Sequence, residues 1–295
     1  MITLPEAFAK FKSRLELTAT EQEDVSARHQ RVREIVRNEF SLENDFLSGS
    51  YGRRTKTKPL KDVDIFCILH EDEDKYLSKP PAELLEAFRK VLAKAYGETC
   101  VSTGRRSIRV SFGIKETEAE GKVMSIDVVP AFPNGKAYQI PDPRSSPGWT
   151  KTDPEIHAEK ATAANKAFNE EWVPVVKMLK KWNNVHDKPI KPSFLVEVMA
   201  LDLFCPPFSG GYVYELKGFF ATAAARITDT WEDPARLGPP VSDEMDAGRC
   251  QLAAHELREA GRNVDLAIQL ARQGKNGDAL RIWRDKIFGD MFPLS

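Results

Sequence analysis

Histidine and cysteine are both scarce in this chain, five and four among 295 residues. Cys67, Cys100, Cys205 and Cys250 are far apart with no CxxC spacing, which argues against zinc and fits free thiols in a reducing cytosol. His29, His70, His157, His186 and His255 share no ligand spacing, and none is assigned a catalytic role. No apolar run reaches the length of about eighteen residues that a membrane span needs. The N-terminus, MITLPEAFAKFKSRLEL, lacks the apolar centre of a signal peptide, so a cytoplasmic chain with no membrane contact is expected. An excess of one charge is missing too: 43 Lys and Arg face 44 Asp and Glu, which excludes a polybasic nucleic-acid binder. No internal repeat is visible. What remains, 41% hydrophobic and 29% charged, is an ordinary globular composition in a chain long enough for one or two domains.

The informative stretch is Phe46 to Leu69, FLSGSYGRRTKTKPLKDVDIFCIL. A small-residue turn, Gly49-Ser50, leads into a basic loop (Arg53, Arg54, Lys56, Lys58, Lys61) that is read first as solvated, with lining a triphosphate entrance or binding a regulator as the alternatives. The loop delivers a strand opening on Asp62-Val63-Asp64. Residues two apart on a strand point the same way, about 6.6 Å apart at Cα. Asp62 and Asp64 therefore sit together while Val63, Ile65, Cys67 and Leu69 face a core. Like charges so close are costly unless a cation lies between them. Taken alone, the motif also describes a polar strand end beside a turn.

A second aspartate raises the same question. Ser107–Ile114 and Val123–Val129 alternate as strands, joined by the polar turn KETEAEG into a hairpin. In the second strand Met124, Ile126 and Val128 share one face, and Ser125 and Asp127 the other. A lone carboxylate in so apolar a run costs several kcal/mol unless it has a partner. The simplest partner is the cation already required by Asp62 and Asp64; an edge strand in water is the alternative.

Elsewhere the pattern is mostly helical. Residues 1–40 read as a helical brace for the first lobe, with Pro5 in a first turn, Phe8, Phe11 and Leu15 on one face, and Thr20 with Glu23 as a capping box. Pro81 opens a helix that Gly97 closes, burying Leu84, Leu85, Phe88, Val91, Leu92 and Ala95. Pro130 to Trp149 reads as a connecting loop. A helical region from about 155 to 186 is interrupted at Pro174. Within it Lys177, Lys180 and Lys181 share a face, either solvated or gripping phosphate. Ser193 is expected to cap the next helix, and Trp283, Ile287, Phe288 and Phe292 to dock the C-terminus. The expected fold class is α+β in two lobes. A mixed sheet with helices and an N-terminal helix occupies 1–150, and a helical lobe 151–295.

Three carboxylates on neighbouring strands form an all-oxygen set suited to Mg2+, and two such ions can serve both oxygens of an in-line displacement. Gly49 lets backbone approach phosphate, and Ser50 adds a hydroxyl. The combination points to nucleotidyl transfer. GSYGRRTKTKPLKDVDIF followed by SIDVVPA resembles the polymerase β-type nucleotidyltransferase superfamily. Within it, VVKMLKKWN, KPSFLVEVMA and the ending ALRIWRDKIFGDMFPLS are similar to the cGAS/DncV-like nucleotidyltransferases (CD-NTases) of bacterial antiphage (CBASS) signalling.

That resemblance implies template-independent joining of NTPs, ATP among them, into a cyclic di- or trinucleotide with release of pyrophosphate. It assigns Asp62, Asp64 and Asp127 to catalysis and to two Mg2+ ions, with Mn2+ as an alternative. Gly49, Ser50, Lys180 and Ser193 are assigned to the nucleotide. It further implies a downstream effector that reads the product and regulatory protein partners, with neither template nor membrane. The competing readings are a superfamily enzyme that modifies tRNA ends, makes oligoadenylate or uses a small-molecule acceptor, and a non-catalytic nucleotide-binding protein.

Overall fold

The computed structural model describes residues 2–114 and 122–295, so the expected KETEAEG turn lies outside the described residues. The chain divides into two units, Leu17–Ala158 and Met1–Glu16 with Glu159–Ser295.

The first unit is built on a mixed sheet. Helix α2 (Ala19–Glu39) precedes β1 (Leu42–Ser48), the single turn α3 (Gly49–Gly52) and β2 (Asp62–Leu69). Helix α4 (Pro81–Tyr96) is followed by β3 (Val101–Thr103), β4 (Ile108–Ser111) and β5 (Ser125–Asn134). The strand order is β1-β2-β5-β4-β3, and only β2 and β5 in that path run parallel. A parallel pair needs a long crossover, supplied here by α4, β3 and β4. Val63, Ile65, Cys67 and Leu69 are fully buried, against Val25, Val32 and Val36 of α2 and Leu84, Leu85, Phe88 and Leu92 of α4. Ala93 takes the buried place expected of Ala95, which is exposed. Pro81 starts α4, and Gly97 ends it at φ 94°, a conformation that suits glycine.

The stretch from Pro130 to Trp149 is not the connecting loop expected. Strand β5 runs on through Pro130 and Pro133 to Asn134, then turns back as β6 (Ala137–Pro141), which pairs with β7 (Trp149–Thr152). Proline reads against a strand because it cannot donate to the ladder, yet it fits where no donor is needed.

The second unit is helical. It holds α1 (Leu4–Leu15), most of α5 (Pro154–Ala167), α6 (Trp172–Val185), α7 (Ser193–Leu203), α8 (Tyr212–Arg226), α9 (Ala247–Arg272) and α10 (Asn276–Ile282), which runs into a wide turn at Trp283–Phe288. The break expected at Pro174 falls earlier, between Ala167 and Trp172. Pro174 itself sits in the first turn of α6, where its missing N–H costs nothing.

The N-terminal helix corrects the expected division at residue 150. Helix α1 belongs with the helical unit, because Ala7, Phe8, Phe11 and Leu15 are buried in the same core as the C-terminus. Ring centroids lie 4.9 Å apart for Phe8 and Trp283, and 4.6 Å for Phe11 and Phe288. The chain changes unit at Leu17, and Thr18 with Glu21, rather than Thr20 with Glu23, forms the capping box of α2. Glu21 also receives Lys58 at 2.8 Å, a tertiary partner that helps to fix this box. Among the described residues no helix is long and apolar enough to cross a membrane.

Phe11→Ala should destabilise the helical unit by about 3–5 kcal/mol, the range for emptying a buried aromatic site. Urea denaturation checks this; a loss under about 1 kcal/mol would show that α1 is not part of that core.

Candidate active site

Strand pairing brings the acids together. In the parallel register of β2 and β5, Asp64 lies directly opposite Asp127, and Asp62 opposite Ser125. The three carboxylates thus share one face at the start of two adjacent strands, opposite the side that carries Val63 and Ile65 into the core.

The turn above them is set by sterics. Gly49 has φ +59°, and a Cβ there would stand 1.7 Å from Oδ2 of Asp64. At Gly52 it would stand 2.5 Å from the carbonyl oxygen of Leu47. Only glycine allows the backbone to come this near the acids. Ser50 is half-buried on the same turn, and its carbonyl accepts from Thr55 N–H at 2.9 Å.

The basic loop is less solvated than expected. Lys58 pairs with Glu21 of α2, and the Lys56 ammonium lies 4.3 Å from the centre of the Tyr51 ring. Burial raises the Tyr51 phenol.

One site residue escaped the sequence reading. Arg109 of β4 stands opposite Asp127 in the antiparallel register. Its Nε donates to Oδ1 of Asp127 at 2.9 Å and its Nη2 to Oδ2 at 2.7 Å, while Nη2 stands 4.0 Å from Asp62. Within its own strand Arg109 is one polar residue of an alternating run. Its role depends on the register of β4 on β5, which spacing within one strand does not reveal.

Asp64 keeps partial surface exposure yet is crowded by protein atoms, and its carboxyl is pushed up to about 7. Burial is the main cause, followed by the charges of Asp62 and Asp127; Arg53 and Arg109 pull the other way.

Lys180 and Ser193 are not brought to this cluster within the first unit; they lie on α6 and α7 of the helical unit. The lysine face is neither bare nor solvated. Lys177 is buried against Glu16 at 2.6 Å, and Lys180 against Glu197 at 3.0 Å. Burial lowers the Lys177 ammonium, partly offset by Glu16. Ser193 is exposed as the first residue of α7. The cap position is Pro192, so the expected side-chain cap does not form.

The donor set, three carboxylates and backbone, has the chemistry of a hard divalent cation site. As arranged, no three His, Cys, Asp or Glu side chains among the described residues converge on one point, and both oxygens of Asp127 are taken by Arg109. Acids at the head of paired strands beneath a glycine turn, on a mixed sheet backed by helices, define a nucleotidyltransferase core.

The comparisons agree with that class. At 29% identity the chain is similar to a probable cyclic nucleotide synthase of Bacillus cereus (strain VD146), over 83% of this chain and 81% of the relative. At 28% identity it is similar to a cyclic AMP-AMP-AMP synthase of Acinetobacter sp., over all of this chain and 87% of the relative. The fold is similar to E. coli MS115-1 CdnC, solved with ATP (TM-score 0.72, 18% identity, 98% of both chains) and in a CdnC:HORMA-deltaN complex (0.70, 19%, 98% of both). A family model described as Second Messenger Oligonucleotide or Dinucleotide Synthetase domain matches residues 2–165, more than half of the chain, and the chain belongs to that family. It is a nucleotidyltransferase of the cyclic-nucleotide-synthase class, and such enzymes use divalent metal.

Two outcomes follow from the geometry. Gly49→Ala should displace Asp64 and cost about 1 kcal/mol from φ alone, lowering both melting temperature and product formation; wild-type behaviour in both would refute the steric argument. The folded-state value of Asp64 lies above the unfolded 3.8, so the folded, metal-free protein holds that proton more tightly. Its stability therefore falls as pH rises from about 4 to about 7. Asp64→Asn removes this loss, so in EDTA the variant should melt higher than wild type near pH 8 and lose that advantage near pH 5. Parallel melting profiles would contradict the assignment.

Proposed function

We propose that this chain joins nucleoside triphosphates, ATP among them, into a cyclic di- or trinucleotide signal for antiphage defence in the cytosol. The observation that carries the reading is the β2–β5 register, which sets Asp64 against Asp127 with Asp62 one pleat away, under the Gly49 turn. Two Mg2+ ions, or Mn2+ in their place, are held by Asp62, Asp64 and Asp127. Bound there, they neutralise the triphosphate and lower the pKa of the attacking hydroxyl.

The chain's own groups do the rest. The Gly49 N–H and the Ser50 hydroxyl bind phosphate oxygens. Asp62 and Asp64 orient the donor triphosphate, and Asp127 orients the acceptor hydroxyl for attack on the α-phosphorus. The bond to the β-phosphate breaks and pyrophosphate leaves; a second such transfer closes a dinucleotide ring, and a trinucleotide ring needs a third. Ser193 and Lys180, whose ammonium lies 3.0 Å from Glu197, contact the nucleotide. The similarity to a cyclic AMP-AMP-AMP synthase makes a cyclic triadenylate the first product to seek. A HORMA-type protein is the regulatory partner to test, given the complex solved for E. coli CdnC. An effector that binds the cyclic product completes the pathway.

Incubation with all four labelled NTPs and Mg2+, with no acceptor or template, should give a phosphatase-resistant product whose mass identifies the ring. Asp62→Asn with Asp64→Asn should abolish it while circular dichroism stays unchanged. A strict requirement for tRNA or a small-molecule acceptor would overturn the reading.

A further inference from the structure

Asp127 is nearly buried, and it is the acid among the three with a two-pronged partner. The Arg109 guanidinium fits it as a fork, one N–H to each oxygen, the strongest form of carboxylate hydrogen bonding. The same guanidinium stands 4.0 Å from Asp62, so one cation leans on two of the three acids. Arg53 also acts on Asp64, against the charges of Asp62 and Asp127. Carboxylates drawn to one face by strand pairing repel one another, and β4 supplies a counter-charge from within the chain. The arrangement has a cost. Any divalent ion that needs an oxygen of Asp127 must loosen the fork or share the carboxylate with it.

We propose that Arg109 is a place-holding cation: its fork orients Asp127 before metal arrives, and it competes with the ion for the oxygens of that carboxylate. Arg109 thereby sets the divalent-ion concentration at which the site fills. It is a positioning residue, acting through Asp127. The inference rests on the proposed assignment of Asp62, Asp64 and Asp127 to divalent metal.

The test is Mn2+ binding to the full chain, freed of metal with EDTA and dialysed, measured by calorimetry alongside melting in EDTA. Arg109→Gln should bind Mn2+ roughly three- to tenfold tighter, the scale of releasing one partly exposed ion pair. It should also melt lower than wild type in EDTA, and the gap should close as Mn2+ is added. Arg109→Lys keeps the charge without the fork and should fall between, which also guards against a folding defect in the glutamine variant. Asp127→Asn should weaken Mn2+ binding whatever Arg109 does. Equal or weaker Mn2+ binding by both Arg109 variants, with binding by wild type intact and sensitive to Asp127→Asn, would overturn the proposal and leave the metal assignment standing. Failure of wild type and both variants to bind Mn2+ would overturn the two together.

Discussion

Mutual repulsion of three carboxylates is the constraint on which this structure turns. Asp62, Asp64 and Asp127 are forced together by a parallel strand pair whose other face is a sealed apolar core. Slipping either strand by one residue would turn the acids inward and expose Val63, Ile65 and Ile126, so burial on one side enforces crowding on the other. Elsewhere the protein resolves buried acids generously. Asp45 is held by Arg33 and Arg37 of α2, and Asp142 by Arg105 and Arg106. At the acidic cluster the Arg109 guanidinium serves two carboxylates and Arg53 acts on Asp64, yet the Asp64 carboxyl is still pushed up to about 7. Crowded carboxylates of this kind are the oxygen donors that a hard divalent cation favours.

The glycine turn belongs to the same constraint. Placing backbone N–H groups beside a crowded carboxylate requires removing the Cβ that would occupy the space, and Gly49 does so at a backbone angle other residues resist. The helical unit solves a different problem. Its core takes in rings from both ends of the chain, Phe8 and Phe11 from the start and Trp283, Phe288 and Phe292 from the end. Edge and stacked ring contacts add specificity to the area they bury.

Much of the site was legible in one dimension because its logic is local. A pair of aspartates two apart, a glycine-serine turn twelve residues before them and a carboxylate in an apolar strand each carry meaning within a few residues. The misreadings share the opposite character. Residues 1–40 looked like one helical brace because both halves are amphipathic, yet the partners of Phe8 and Phe11 lie some 270 residues away. Pro130 and Pro133 masked a strand, since their tolerance depends on which neighbour needs a donor. Lys177 and Lys180 looked like a solvated or phosphate-binding face, and only packing shows that Glu16 and Glu197 lie against them.

Sequence by itself determined the chemistry available: which acids share a strand face, where backbone can bend without a Cβ, and which faces must be buried. Strand alternation and helix periodicity are properties of the chain's own geometry, so no partner is needed to read them. Tertiary structure decided which charges meet. The register that sets Arg109 against Asp127, and Asp64 against the same residue from the other side, is a choice among pairings between strands tens of residues apart. It was settled by total core burial and by the balance of charge across the sheet, neither of which any single stretch contains.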